Sequence, residues 1–270
     1  VLAEYRASAG QAFWSEHWGG HSVDELLVIA RRSPLTAIIM EALPHAGPIL
    51  EAGCGLGQYV LLLREHGWRV AGADWAIEAL AACRRVAPAP LAAMKLDALA
   101  VQDGALAGYV SLGVVEHDPN GPDAILAAAH RALAPGGVLV VSVPYVNGVR
   151  RLAAPWLRRR GRALARRGEP FYQYLFTRSE LAQTLVRHGF RPTSTTPYDP
   201  ARLLRRALPG AIARRLARAS AVPPSSGAGG ARPAMPALGA GLRGFARRLL
   251  YTPPALRLFG HMLLVVARKT

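Results

Sequence analysis

Short apolar runs punctuate the chain, each bounded by glycine, proline or charge, and read as buried strands. They cover Pro48–Ala52, Arg69–Asp74, Leu91–Leu96, Val138–Val143, Phe190–Thr196 and Gly260–Lys269. Another begins at Tyr109 and emerges into a polar loop ending Glu116-His117. Between the runs, apolar residues recur at helical spacing: Gln58 to Gly67, Ala76 to Arg85, and about Pro122 to Leu133. Two capping boxes mark further helix starts. Ser22-x-x-Glu25 opens a helix to about Arg32, and Thr177-x-x-Glu180 opens one that stops at Gly189. Ser33-Pro34 restarts a helix that ends near Leu43, with proline at its first position.

The strand Pro48–Ala52 runs into three glycines at alternate positions, Gly53, Gly55 and Gly57, and then into a helix. Strand, glycine turn and helix make a nucleotide-binding corner. Glycine lets the backbone approach a ligand closely, and the helix N-terminus presents free N–H groups. The dinucleotide fingerprint G-x-G-x-x-G fails, because its last position falls on Gln58 or Val60. What stands instead is acid-x-G-x-G-x-G, led by Glu51. Asp74 ends the next strand about 20 residues after Gly53, the spacing at which an acid reaches ribose hydroxyls in Rossmann-type sites. The competing reading of Asp74 is a cap for the helix that follows. Trp75 beside it is placed to lie against an adenine.

This corner resembles motif I of the class I S-adenosylmethionine-dependent methyltransferases. Further on, "SLGVVEH" (Ser111–His117), "HRALAPGG" (His130–Gly137) and "VLVVSVP" (Val138–Pro144) follow in order. They resemble the motif IV to motif V region of the same family, especially members acting on quinones, lipids and other small molecules. With Asp74 and Asp97 the resemblance spans residues 49–144. It implies a doubly wound α/β fold with a seven-stranded, mostly parallel sheet and its last strand antiparallel. It implies S-adenosyl-L-methionine as cofactor. Gly53, Cys54, Gly55 and Gly57 then form the turn, with Cys54 a small turn residue rather than a nucleophile. Glu51 orients that turn and the methionine amine, which the backbone of Leu112 and Gly113 also accepts from. Asp97, with Ala98, meets the adenine amino group, or is an exposed loop acid. The expected division is an N-terminal helical lid over 1–46, a methyltransferase domain over 47–200 and 251–270, and a basic insertion over 201–250. Trp14 and Trp18 in the first segment either close over the cofactor or pack on the core.

Methyl transfer to oxygen needs an aligned acceptor and usually a base. His117 is the candidate base, against the alternative that it braces its loop. Glu116 is placed to orient the imidazole or take the proton, and Tyr145, after the fifth strand, to face the acceptor. His17 and His21 are weaker candidates, and His130 reads as structural. No N/D-P-P-Y/F sequence is present, so the signature for amino methylation of bases is missing. No Cys/His grouping suggests a metal.

The net charge of +16 is unevenly placed. Residues 150–168 hold eight arginines and no acid, and residues 201–250 hold ten and no acid. The rest of the chain is therefore near neutral. In 201–219, Leu204, Leu208, Ile212 and Leu216 recur every four residues among arginines, and 242–250 repeats the pattern with Leu242, Phe245 and Leu249. Residues 149–168 do so more loosely, around Trp156 and Leu157. Such stripes fit peripheral contact with an anionic membrane, lid helices packed on the core, or, least well, nucleic acid. Val222 to Gly241 is rich in Pro, Gly, Ser and Ala and reads as a loop. Two cysteines and no leader point to a cytoplasmic protein. No apolar run approaches the roughly 20 residues of a membrane span. The acceptor expected is a small molecule or lipid-linked compound, methylated on oxygen. The alternatives are an RNA-directed methyltransferase and a non-catalytic cofactor-binding protein. Oligomeric state is not legible in the sequence.

Overall fold

The computed structural model describes residues 1–6, 8–200, 202 and 248–270 of the chain. A strand β1 (Leu2–Tyr5) leads into helices α1 (Gln11–Gly19), α2 (Val23–Arg32) and α3 (Pro34–Ala42). Strand and helix then alternate through β2 (Pro48–Ala52), α4 (Gln58–Glu65), β3 (Arg69–Asp74), α5 (Ile77–Val86), β4 (Leu91–Ala93) and β5 (Leu106–Leu112). A 3-10 turn, Val115–His117, precedes α6 (Asp123–Ala132) and the long β6 (Leu133–Pro144). After it come α7 (Gly148–Leu152), α8 (Ala154–Arg166), β7 (Phe171–Leu175), α9 (Arg178–Arg187) and β8 (Phe190–Tyr198). The last elements are α10 (Pro253–Phe259) and β9 (Met262–Lys269).

Both capping boxes act as read. The Ser22 hydroxyl accepts from the Glu25 amide, and Thr177 and Glu180 satisfy each other's backbone N–H groups. Pro34 sits in the first turn of α3, where its missing N–H costs nothing.

Seven strands form one sheet in the order β4-β3-β2-β5-β6-β9-β8. Only β9 runs antiparallel, to both β6 and β8. The interior strands are apolar on consecutive residues because both faces are covered. Their parity sorts the side chains. Ile49, Val138 and Val140 join α2–α5 on one face, while Leu50, Leu139 and Val141 join α6 and α9 on the other. The chain steps outward from β2 through β3 to β4, then returns to the far side of β2 to begin β5. That reversal opens a crevice at the carboxyl ends of β2 and β5, the place where ligands bind in sheets of this kind.

Three features depart from the reading of the sequence. The first segment opens with a strand rather than a helix. The aromatic cluster Phe171–Leu175 is a strand as well, and the two pair antiparallel as a small separate sheet, with Leu2 opposite Leu175. The run read as a strand to Leu96 leaves the sheet at Ala93. The expected insertion 201–250, with its amphipathic stripes, lies outside the described residues apart from Arg202 and 248–250.

Candidate active site

The glycine turn wraps the end of β3. Gly53 and Cys54 both donate their amides to the Ala73 carbonyl, at 2.7 and 3.1 Å. Gly53 and Gly55 both have positive φ, 78° and 52°, which disfavours any side chain. Space forbids one too: a Cβ on Gly53 would collide with Val114, and one on Gly55 with the Trp18 ring. Asp74 ties the turn to the next helix. Its Oδ2 accepts from Gly55 N–H at 2.7 Å and its Oδ1 from Ala76 N–H at 2.9 Å. Each oxygen keeps a second lone pair. Asp74 is therefore a cap, and also a wall of the cavity with acceptor capacity left over. Burial raises its pKa, and the backbone hydrogen bonds at Ala76 and Gly55 oppose that.

A cavity of about 510 Å³ opens above the turn. Of the residues singled out in the sequence, Glu51, Gly53, Cys54, Asp74, Trp75, Asp97, Leu112, Gly113 and His117 line it. Gly55 and Gly57 do not, because they shape the turn from beneath Trp18 and beside Cys83. Ala98 and Glu116 also lie outside the lining. Tyr145 is placed elsewhere. It is buried among the apolar side chains on the α6 side of the sheet and borders a separate cavity of about 220 Å³ with Arg151, Thr177 and Arg178. Strand parity after Val143 carries its side chain away from the crevice, so the expectation that Tyr145 faces the acceptor is corrected.

Glu51 is 2% exposed, and burial raises its carboxyl pKa to about 8. A hydrogen bond from the Val60 amide pulls the other way, and neighbouring Asp74 adds to the rise. Its Oε2 is buried without a hydrogen-bond partner, as is Oε1 of Gln58 on the same wall. Buried acceptors left unpaired are costly, and two of them beside one cavity mark a place for a donor. Burial also raises the Cys54 thiol well above its usual value, so it is inert, as a turn residue should be.

The N-terminal segment covers the cavity. Ser8, Ala9, Gly10, Trp14 and Trp18 all line it. Gln11 donates to the Trp75 carbonyl at 2.7 Å, and Ser15 to Glu78 at 2.7 Å, tying α1 to the start of α5. Trp14 and Trp18 also pack on the apolar core.

His117 sits on the 3-10 turn beyond β5. Its Nδ1 lies 2.7 Å from the Tyr172 carbonyl. A carbonyl only accepts, so Nδ1 carries the proton and Nε2 bears the lone pair. Trp14 and Tyr172 meet the imidazole edge to face, with centroids 4.9 and 5.0 Å away. This enclosure lowers the His117 pKa to about 4, a hydrogen bond to Tyr172 opposing and Arg6 and His17 adding to the shift. Arg6 stacks over the Tyr172 ring at 3.8 Å. Glu116 has its Oε1 3.9 Å from Nε2 and is raised by burial to about 8. It holds its proton at neutral pH. Tyr172 had no assigned role in the sequence, since a backbone carbonyl leaves no signature there. His130 stacks edge to face on Phe190, a structural position. Among the described residues no group of three metal-ligating side chains occurs.

Comparison with known proteins bears on this geometry. A profile for the methyltransferase domain family matches residues 28–195. No curated protein matches the sequence at a significant level. Solved structures with the same fold include an S-adenosylmethionine-dependent methyltransferase from Methanosarcina mazei, with TM-score 0.56 and 16% identity over 86% of this chain and 96% of that one. Another, from Archaeoglobus fulgidus, gives TM-score 0.57 and 15% identity over 95% and 98%. A third is the geranyl diphosphate C-methyltransferase of Streptomyces coelicolor, solved with Mg²⁺, geranyl diphosphate and S-adenosyl-L-homocysteine, with TM-score 0.50 and 16% identity over 87% and 78%. At these identities the structures speak for the fold, and the profile speaks for the family. The chain thus belongs to the methyltransferase domain family, and it has the fold of the class I, S-adenosylmethionine-dependent methyltransferases.

Proposed function

We propose that the protein methylates an oxygen atom of a small-molecule or lipid-linked acceptor, with Nε2 of His117 as the base. The observation that carries this is the hydrogen bond from His117 Nδ1 to the Tyr172 carbonyl, which leaves Nε2 as the acceptor on a ring lining the cavity. The residues present fit the cofactor. The orphaned Oε2 of Glu51 suits its amine, the free lone pairs of Asp74 suit two adjacent ribose hydroxyls, and Trp75 and Asp97, which line the same cavity, would meet the adenine. Leu112 and Gly113 line the same cavity.

When bound, S-adenosylmethionine supplies a methyl group already activated on a sulfonium. The chain's own task is alignment and removal of a proton. Nε2 of His117 takes the acceptor hydroxyl proton as the oxygen gains the methyl. With a pKa near 4, the imidazole is unprotonated at neutral pH but a weak base, so it accepts the proton only as the oxygen is alkylated and becomes acidic. Trp14, Trp18 and Phe171 give the acceptor end an apolar wall, which favours an aromatic or lipid-like body over a nucleic acid strand. The test is to supply methyl-labelled cofactor to fractionated extract with wild type and His117→Ala. Label entering a small-molecule or lipid fraction with wild type alone supports the reading. Label entering RNA or protein instead refutes the acceptor class.

A further inference from the structure

We infer that the outer face of α7 and α8 docks the protein on an anionic lipid surface. Val149, Leu152 and Trp156 follow one another at helical spacing across Ala153, whose backbone stays in the right-handed helical region. They are 42%, 87% and 58% exposed, and the neighbouring Leu258 is 47% exposed. Leu258 lies against α7, its Cδ2 only 2.6 Å from where a Cβ on Gly148 would stand. The four side chains form a patch on a surface that is otherwise arginine-rich.

The face is held outward by what lies beneath it. The Arg150 guanidinium is buried and donates to the Tyr145 carbonyl at 2.6 Å. Asn147 caps α7 with its Oδ1 and donates to the Gly260 carbonyl at 2.8 Å through Nδ2. In α8, Gly161 is buried against β1, where a Cβ would stand 3.1 Å from the Ala3 carbonyl oxygen. These anchors fix the platform, so the apolar stripe does not fold back onto the core.

Charge identifies the occupant. Arg151, Arg158, Arg159, Arg160, Arg162 and Arg166 are all exposed, and no acid occurs in 150–168. None of these arginines pairs with a carboxylate among the described residues. Arg160 stacks over Trp156 at 5.4 Å. A phosphate-bearing strand would reward the arginines, but it gives Val149 and Leu152 nothing to enter. A bilayer interface rewards both: headgroups take the guanidinium groups, acyl chains take the aliphatic side chains, and tryptophan favours the boundary. Each basic residue near an anionic leaflet strengthens binding about fivefold. No helix among the described residues is long and apolar enough to cross a membrane, so the contact is peripheral. The inference does not depend on the identity of the methyl acceptor.

The test is co-sedimentation of the full chain with phosphatidylcholine vesicles, with and without phosphatidylglycerol, at low and high salt. Two variants are compared with wild type: Leu152→Ser/Trp156→Ser, and Arg158→Gln/Arg159→Gln/Arg162→Gln. Wild type should bind only the anionic vesicles, and high salt should weaken binding. Each variant should bind at least tenfold more weakly, with thermal unfolding and cofactor affinity unchanged, because all the replaced side chains are exposed. Arginines in 202–248 also attract anions, so the apolar variant decides the matter. Vesicle binding undiminished in that variant overturns the inference, as does wild type remaining in the supernatant at low salt. Single-stranded RNA that displaces wild type from vesicles and binds the apolar variant equally well also overturns it, in favour of a nucleic-acid surface.

Discussion

If Glu51 takes the cofactor's amine, as proposed, it should couple cofactor affinity to pH. The carboxyl is almost fully buried and its pKa stands near 8 instead of its ordinary 4.5. At pH 6 it is protonated, and an incoming ammonium meets a neutral acid. To pair with that ammonium, Glu51 must lose its proton, at a cost of about 1.4 kcal/mol for each pH unit below 8. Between pH 6.0 and 7.5 the cost falls by roughly 2 kcal/mol, so affinity should rise about 30-fold. Above pH 8 the rise should level off, because Glu51 is by then already ionised in the free protein. Glu51→Gln mimics the protonated side chain at every pH. It should bind as weakly as wild type does at pH 6, with most of the pH dependence gone. The assay is titration calorimetry with S-adenosylhomocysteine across that range, in buffers of different ionisation heat to count the proton released. Wild-type affinity that stays flat from pH 6.0 to 7.5, or a slope that survives in Glu51→Gln, would refute the coupling. The same proton acts oppositely on the ligand-free fold. Between pH 4.5 and 8 the folded state holds it while the unfolded chain has released it, so this contribution to stability is fully present below 4.5, falls across that window and is gone above 8.

Other outcomes follow from the same geometry. Asp74→Ala should weaken cofactor binding by about 1–3 kcal/mol by calorimetry, leaving the Gly55 and Ala76 amides unpaired as well. His117→Ala should lower turnover roughly 10²-fold or more with cofactor affinity nearly intact, as single-turnover rates and titration would report separately. At saturating cofactor, the acid limb of the wild-type pH–rate profile should fall near pH 4, not 6.5, and a limb at 6.5 would mean that His117 is not the base. Because its folded pKa is depressed, His117 should also cost the fold stability as pH drops from 6.5 to 4, which thermal melts of wild type and His117→Ala would show as a difference that grows across that window and stays constant below it.

What the sequence revealed was whatever depends on neighbours in the chain. The β2–α4–β3 corner is written in Glu51, three glycines and Asp74, because turn geometry and capping are local. The buried strands announce themselves as apolar runs. The small β1–β7 sheet left no such trace: its strands are short, and pairing partners such as Glu4 and Gln173 are 169 positions apart. His117 was legible as a residue but its tautomer was not, since its partner is a main-chain carbonyl. Tyr145 misled because nearness to a strand end fixes a position and leaves the direction open.

The pairing of β1 with β7 has a consequence for the order in which the protein becomes competent. The cofactor corner closes on contacts within Glu51–Asp74, which a growing chain can make early. The carbonyl that sets the His117 tautomer belongs to β7, and β7 is steadied by residues 2–5 from the other end of the sequence. Contacts between such distant segments carry the larger loop-closure cost and form late. If the corner holds the methyl donor and His117 is the base, as proposed, a folding molecule should gain the first ability before the second, with the interval set by the return of the first strand to the seventh.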